Sequence, residues 1–134
     1  MFKKKDKPVR VLIVDDDKDF LEQITLKLEK YGFEVHATAN PDEAATMAEK
    51  IQPVIILLDI QMPKKDGFQV AQEISAKLSG DQAKVVFFTN TGESNPQIIE
   101  NNRRLSKEFG AIDYIKKGTD LDVVANTIEE LARK

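Results

Sequence analysis

The chain has no cysteine and a single histidine, His36, among its 134 residues. Without cysteine there is no disulfide framework, no thiolate metal site and no thiol nucleophile. Long apolar runs are missing too. The longest clear one, Val54–Leu58, falls far short of the roughly 20 residues that a membrane-spanning helix needs. The start, "MFKKKDKP", is basic like a signal peptide, but the apolar run after it is too short for an h-region. Neither sign of charge dominates: 20 basic residues against 23 acidic ones leave a net charge of -3. That balance offers no broad electrostatic footprint for nucleic acid. The cytoplasm is the default compartment. Residues 1–8 read as a flexible basic N-terminus, with Lys3–Lys5 solvated, ahead of a single domain over residues 9–134. A chain of this length can bury about two thirds of its unfolded surface in one core.

What is present alternates. "VRVLIV" (9–14) is a short β-branched run, and Phe20, Ile24, Leu28 and Tyr31 follow at helical spacing, stopped by Gly32. "FEVHAT" (33–38) alternates in polarity, as a strand at or near an edge does, with His36 facing solvent. Asn40-Pro41-Asp42-Glu43 predicts a helix start with a capping box, the helix running to about Lys50 before Pro53. "VIILLD" (54–59) is apolar throughout, as a parallel strand covered on both faces should be. Val70, Ala71, Ile74 and Leu78 mark a helix ended by Ser79-Gly80, and "KVVFFT" (84–89) is a second buried strand. Asn95-Pro96 opens a helix through Ile98, Leu105 and Phe109. "DYI" (113–115) is a short strand, and Thr119 with Asp122 caps a last helix along Leu121, Val124, Ala125, Ile128, Leu131 and Ala132. Five strands and five helices in alternation predict an α/β fold: a doubly wound, five-stranded parallel sheet with helices on both faces.

In such sheets the ligand site lies outside the carboxyl ends of the strands, where strand order switches. The first strand ends in Asp15, Asp16 and Asp17, the third in Asp59, the fourth in Thr89 and the fifth in Lys116-Lys117. Carboxylates brought this close repel unless a cation sits among them. The donor set is all oxygen, which favours Mg²⁺ over Zn²⁺. Against this, the aspartates could be exposed loop acids, one of them capping the helix that starts near Lys18, and Asp17 is read in that way.

Four stretches together resemble the receiver domain of two-component response regulators: "LIVDDD", "LLDIQMPKKDGF" (57–68), "VVFFTN" (85–90) and "GAIDYIKK" (110–117). The likeness covers about Val9 to Leu131, and Asp59 followed by Met62-Pro63 and Asp66-Gly67 is its most specific part. It implies a flavodoxin-like strand order of 2-1-3-4-5 and a stand-alone signalling protein of a phosphorelay. Asp59 would accept a phosphoryl group from a sensor histidine kinase or a histidine phosphotransfer protein. Asp16 would bind Mg²⁺ directly, Asp15 through water, and the backbone carbonyl of Gln61 would be a further ligand beside Asp59. Lys117 would pair with the acyl phosphate and Thr89 would hydrogen-bond to it. Tyr114 would change rotamer with Thr89, and output would pass by contact with a downstream protein. The implied chemistry is self-catalysed phosphoryl transfer and dephosphorylation rather than turnover of an external substrate.

Three departures from the family pattern stand near this site. Lys117 is followed by Gly118 where most receivers have proline after a cis peptide; before a non-proline residue a cis bond costs several kcal/mol, so a trans peptide is expected. Asn90 occupies a usually small position on the path to the phosphorylation site, where it could modulate access or cap the loop instead. "TGESNP" (91–96) is longer than usual. Lys116 is an alternative to Lys117, Thr89 could be an ordinary strand-end hydroxyl, and Asp66-Gly67 could serve as turn and helix cap. Two rival functions remain: a pseudo-receiver used as a protein-binding scaffold, and a Mg²⁺-dependent aspartyl-phosphate phosphohydrolase. The hydrolase reading lacks the Asp-x-Asp-x-Thr/Val pattern.

Overall fold

Five strands pair in parallel in the order β2-β1-β3-β4-β5: β1 (Arg10–Val14), β2 (Glu34–Thr38), β3 (Ile55–Asp59), β4 (Lys84–Thr89) and β5 (Ala111–Lys116). The computed structural model describes residues 8–78, 83–89, 104 and 111–133. Among these, the helices are α1 (Lys18–Lys30), α2 (Ala44–Ile51), α3 (Gly67–Lys77) and α4 (Leu121–Arg133). The helix expected from Asn95-Pro96 lies outside the described residues, except for Arg104, which is helical. The "TGESNP" segment, Asn90 and the Ser79-Gly80 stop lie outside them as well.

Strand alternation divides the core into two layers. Val11, Ile13, Ile55, Leu57, Val86 and Phe88 face one side of the sheet, where they meet Ile24 and Leu28 of α1 and Val124, Ala125 and Ile128 of α4. Leu12, Val14, Ile56, Leu58 and Phe87 face the other side, against the alanines of α2 and Val70, Ala71 and Ile74 of α3. Each fully buried large side chain contributes about 1.5–3 kcal/mol from its removal from water. The uninterrupted apolar reading of β3 follows from this: all five of its residues are buried. β2, with polar positions, is one of the two edge strands, and the side chain of His36 pairs with that of Glu34 at 2.7 Å.

Several local expectations need correction. In α1, Tyr31 is not core: it caps the helix C-terminus, and Leu21 is buried instead. The capping box at Asn40 does not form. The Asn40 side chain accepts from the Asp42 N–H at 3.0 Å, but Glu43 turns away and accepts the Thr38 hydroxyl at 3.0 Å. Pro41–Glu43 is consequently a 3₁₀ turn before α2. At α4 the capping acceptor is Asp120, whose Oδ1 receives the Asp122 N–H at 2.8 Å, while the Thr119 hydroxyl donates back to the Lys116 carbonyl. β5 is longer than "DYI". Its register against β4 steps from Val85↔Ala111 to Val86↔Asp113, one extra residue in β5, which is a β-bulge.

Candidate functional site

β1 and β3 are neighbours, so the residues at their carboxyl ends meet. Asp15 follows β1, Asp59 ends β3, and they are 1% and 4% exposed; Asp16 beside them is open to solvent. One carboxylate oxygen from each of the three lies within 4.8 Å of the others. The local geometry of each is set by short-range bonds. Asp17 caps α1 through the Phe20 N–H at 3.1 Å, as expected of a capping acid, and its own N–H donates to Asp15 Oδ1 at 2.9 Å. The Gln61 N–H donates to Asp59 Oδ1 at 3.3 Å. Asp66 caps α3 through the Gln69 N–H, and the Gly67 N–H donates to the Ile60 carbonyl at 2.7 Å. Gly67 has to be glycine: a Cβ there would lie 2.8 Å from Ile60 Cα and closer still to the Asp59 carbonyl oxygen. The Asp66-Gly67 pair is thus turn, cap and close approach at once.

The cation comes from the end of β5. Lys117 Nζ lies 2.6 Å from Asp15 Oδ2 and 3.9 Å from Asp59 Oδ2, with its side chain only 11% exposed. Lys116 is exposed, so register favours Lys117 at this pocket. The Lys117–Gly118 peptide is trans, as expected without proline. Thr89 ends β4 opposite Lys116 in the ladder. Tyr114 is buried on the same side of the sheet as Phe87.

One ammonium does not balance three carboxylates. Burial, then the neighbouring Asp15 charge, push the Asp59 carboxyl up to about 7 against the pull of Lys117. Burial raises Asp15 as well, although Lys117 opposes it. Among the described residues, the buried Asp15 Oδ2 has the Lys117 ammonium beside it, 2.6 Å away. With all three acids ionised, the described residues leave two negative charges in the pocket uncompensated, which a divalent cation matches. Its oxygen-only donors fit Mg²⁺. Grooves of about 550 and 570 Å³ open on either side of Asp16, the first lined by Lys18, Asn40 and Lys64, the second by Gln61, Met62 and Asp66.

Sequence reasoning missed two features here. Phe20 lies beneath the Lys117 ammonium, and Lys65 ties the loop after β3 to Asp42 at 3.0 Å and to Glu73 at 2.8 Å. The Phe20–Lys117 and Asp42–Lys65 contacts join residues far apart in the chain, and no local pattern announces them.

Fold and site together define a flavodoxin-like α/β protein with a cation-ready acid pocket at the switch edge of its sheet. The chain belongs to the response regulator receiver domain family, which it matches over residues 11–129. It is 29% identical over 119 residues to protein PilH of Pseudomonas aeruginosa, covering 89% of this chain and 93% of PilH. It is 33% identical over 124 residues to the transcriptional regulatory protein SrrA of Staphylococcus aureus, where it covers 92% of this chain but only 48% of SrrA. Among solved structures it resembles a CheY-like receiver domain protein of Methanospirillum hungatei (TM-score 0.80, 27% identity, 95% of each chain). It also resembles the BeF3-activated receiver domain of Klebsiella pneumoniae RstA (TM-score 0.78, 27% identity, 93% of this chain and 99% of that one). The strand order 2-1-3-4-5 implied by the motifs is the order observed. The chain is thus a receiver domain of two-component signalling, and none of its described helices is long and apolar enough to cross a membrane.

Proposed function

We propose that this receiver is switched by phosphorylation of Asp59, supplied by the phosphohistidine of a sensor kinase or of a phosphotransfer protein. The observation that carries this reading is a buried carboxylate at the end of β3 facing two further acids and an ammonium in one small pocket. In the forward step an Asp59 oxygen attacks phosphorus in line. The new P–O bond forms as the P–N bond to the donor histidine breaks, and the freed imidazole takes up a proton.

The chain's own groups divide the work. Asp15, Asp16, Asp59 and the Gln61 carbonyl would hold Mg²⁺, with Asp15 acting through water. A bound Mg²⁺ supplies charge neutralisation for the phosphoryl oxygens. Such a cation also favours the ionised, nucleophilic form of Asp59. Lys117 moves its pairing from Asp15 towards the new acyl phosphate. Thr89 and Tyr114 read the phosphoryl group as a two-state element, Asn90 modulates access to it, and output passes by contact with a downstream protein in the cytoplasm rather than with nucleic acid.

The test is labelling with acetyl phosphate, with and without Mg²⁺. Wild type takes up an alkali-labile phosphate only with Mg²⁺, and Asp59→Asn takes up none while remaining folded. A scaffold-only receiver would leave wild type unlabelled, and a phosphohydrolase would turn over small phosphate esters continuously. Either result overturns the reading.

A further inference from the structure

The lysine of this pocket leaves β5 in an unusual way. The Thr119 N–H donates to the Lys116 carbonyl at 3.1 Å, closing a β-turn with Lys117 and Gly118 at its centre. Gly118 has φ +92°, and Lys117 is not in the left-handed region, so the turn is of the type II class that demands glycine at its third position. Proline, held near φ -65°, cannot occupy that position without rebuilding the turn. A side chain at 118 would also meet nothing: no atom lies within 4 Å of a Cβ built there. The turn therefore fixes the Lys117 backbone, but the residue after it gives the long side chain nothing to rest against.

The support comes from α1 instead. Lys117 Nζ lies over the ring of Phe20, 4.7 Å from its centroid. The Phe20 ring is itself wedged against Phe88 of β4, centroid to centroid 5.1 Å, at a tilt of 44°. Phe88 is buried in the sheet, so the ring beneath the ammonium has a fixed backing. A cation over an aromatic face is attracted by the ring quadrupole, more strongly when it is shielded from water, as this one largely is. The attraction is broad across the face. An ammonium there can slide from Asp15 at 2.6 Å towards Asp59 at 3.9 Å without losing its floor.

We propose that Phe20 is a positioning residue for Lys117: its ring, braced by Phe88, holds the ammonium over the acid pocket in place of a constraint from residue 118. This rests on the reading that Lys117 attends a phosphoryl group on Asp59, and the experiment separates the two.

The probe is 4-fluoro-, 3,5-difluoro- and 3,4,5-trifluorophenylalanine placed at position 20 alone, with Phe20→Tyr and Phe20→Leu beside them. Fluorination drains the ring face while nearly keeping its shape, so a purely packing role predicts a flat series. We expect the acetyl phosphate rate constant to fall stepwise along the series and several-fold in Phe20→Leu, with Phe20→Tyr close to wild type. In NMR spectra of the unphosphorylated protein, the Lys117 ε-methylene protons should lie upfield through the ring current, and Phe20→Leu should return them to the ordinary lysine position. A flat fluorine series, or ε-protons at that ordinary position in wild type, overturns the proposal. If wild type takes no phosphate at all, the phosphorylation reading fails, while the ε-proton shift still decides whether Phe20 holds Lys117.

Discussion

The two ends of the sheet treat charge in opposite ways. At the amino end, cations are spent on helix ends: Lys84 Nζ donates to the Leu131 carbonyl at 2.7 Å, and Arg10 reaches the Gln52 carbonyl at 3.3 Å. Each places positive charge where a helix leaves unpaired carbonyls and the negative end of its dipole. At the carboxyl end three acids crowd one ammonium, and two of them are pushed towards protonation. One end is built for stability. The other carries an electrostatic debt that a proton or a bound cation relieves.

The largest test of that contrast is Asp59→Asn with Mg²⁺ chelated. Asp59 titrates at about 7 in the folded chain against an ordinary 3.8. Below the lower value both folded and unfolded chains hold the proton. Between the two the unfolded chain ionises first, so stability falls as pH rises, by about 1.4 kcal/mol per pH unit. Above the upper value the loss is complete. Urea melts at pH 5 and pH 8 should show Asp59→Asn gaining on wild type at the higher pH, and an equal margin at both would refute the debt.

Next in size is Gly67→Ala, which forces a methyl group into the Asp59 carbonyl and Ile60 backbone. A loss of about 1–3 kcal/mol is expected, as for other overpacked sites, together with impaired phosphorylation because Asp59 itself must shift. Denaturant melts and acetyl phosphate labelling check both parts.

At the opposite end, Lys84→Met should cost about 1 kcal/mol by releasing the Leu131 carbonyl, and should leave phosphorylation unchanged. A changed labelling rate would show that the two ends are not independent.

The smallest effect is expected at Asp122. Its carboxyl is held below the ordinary range by hydrogen bonds from Lys27 and then Tyr31, which tie α1 to α4. A depressed carboxyl stabilises the fold above its unfolded pKa and stops doing so as pH falls through the folded one. Asp122→Asn should therefore lower the melting temperature slightly at pH 7, less so in high salt. The difference should close as the pH falls below 3.8, the ordinary carboxyl value.

Most of the scaffold was legible in the chain because two-sided burial of a parallel sheet writes itself as unbroken apolar runs, as in Ile55–Leu58. The acid pocket was legible for a related reason: strand ends in parallel sheets share one edge, so Asp15, Asp59 and the Lys116-Lys117 pair could be brought to one rim by counting residues, while Lys117 over Lys116 rested on register and on the family resemblance. What could not be read depends on competition between near-equivalent partners. Thr119 and Asp120 are both good caps, and the hydroxyl was drawn off by the Lys116 carbonyl. Glu43 had two possible acceptor roles, and Thr38 won it. Tyr31 fell at helical spacing but carries a hydroxyl that found Asp122 at 2.9 Å. The Lys65 clamp depends on α2 and α3 lying side by side, which no single segment encodes.

The edge position of β5 has a consequence for how the molecule is made. Synthesis runs from the amino end, and β2, β1, β3 and β4 are contiguous in the sheet without β5. A nascent chain that has emerged only through β4 already carries Asp15, Asp16 and Asp59 but not yet Lys117. Until then the pocket has its acids and no counterion of its own. Docking of β5 is thus rewarded twice, by its ladder with β4 and by the arrival of the ammonium.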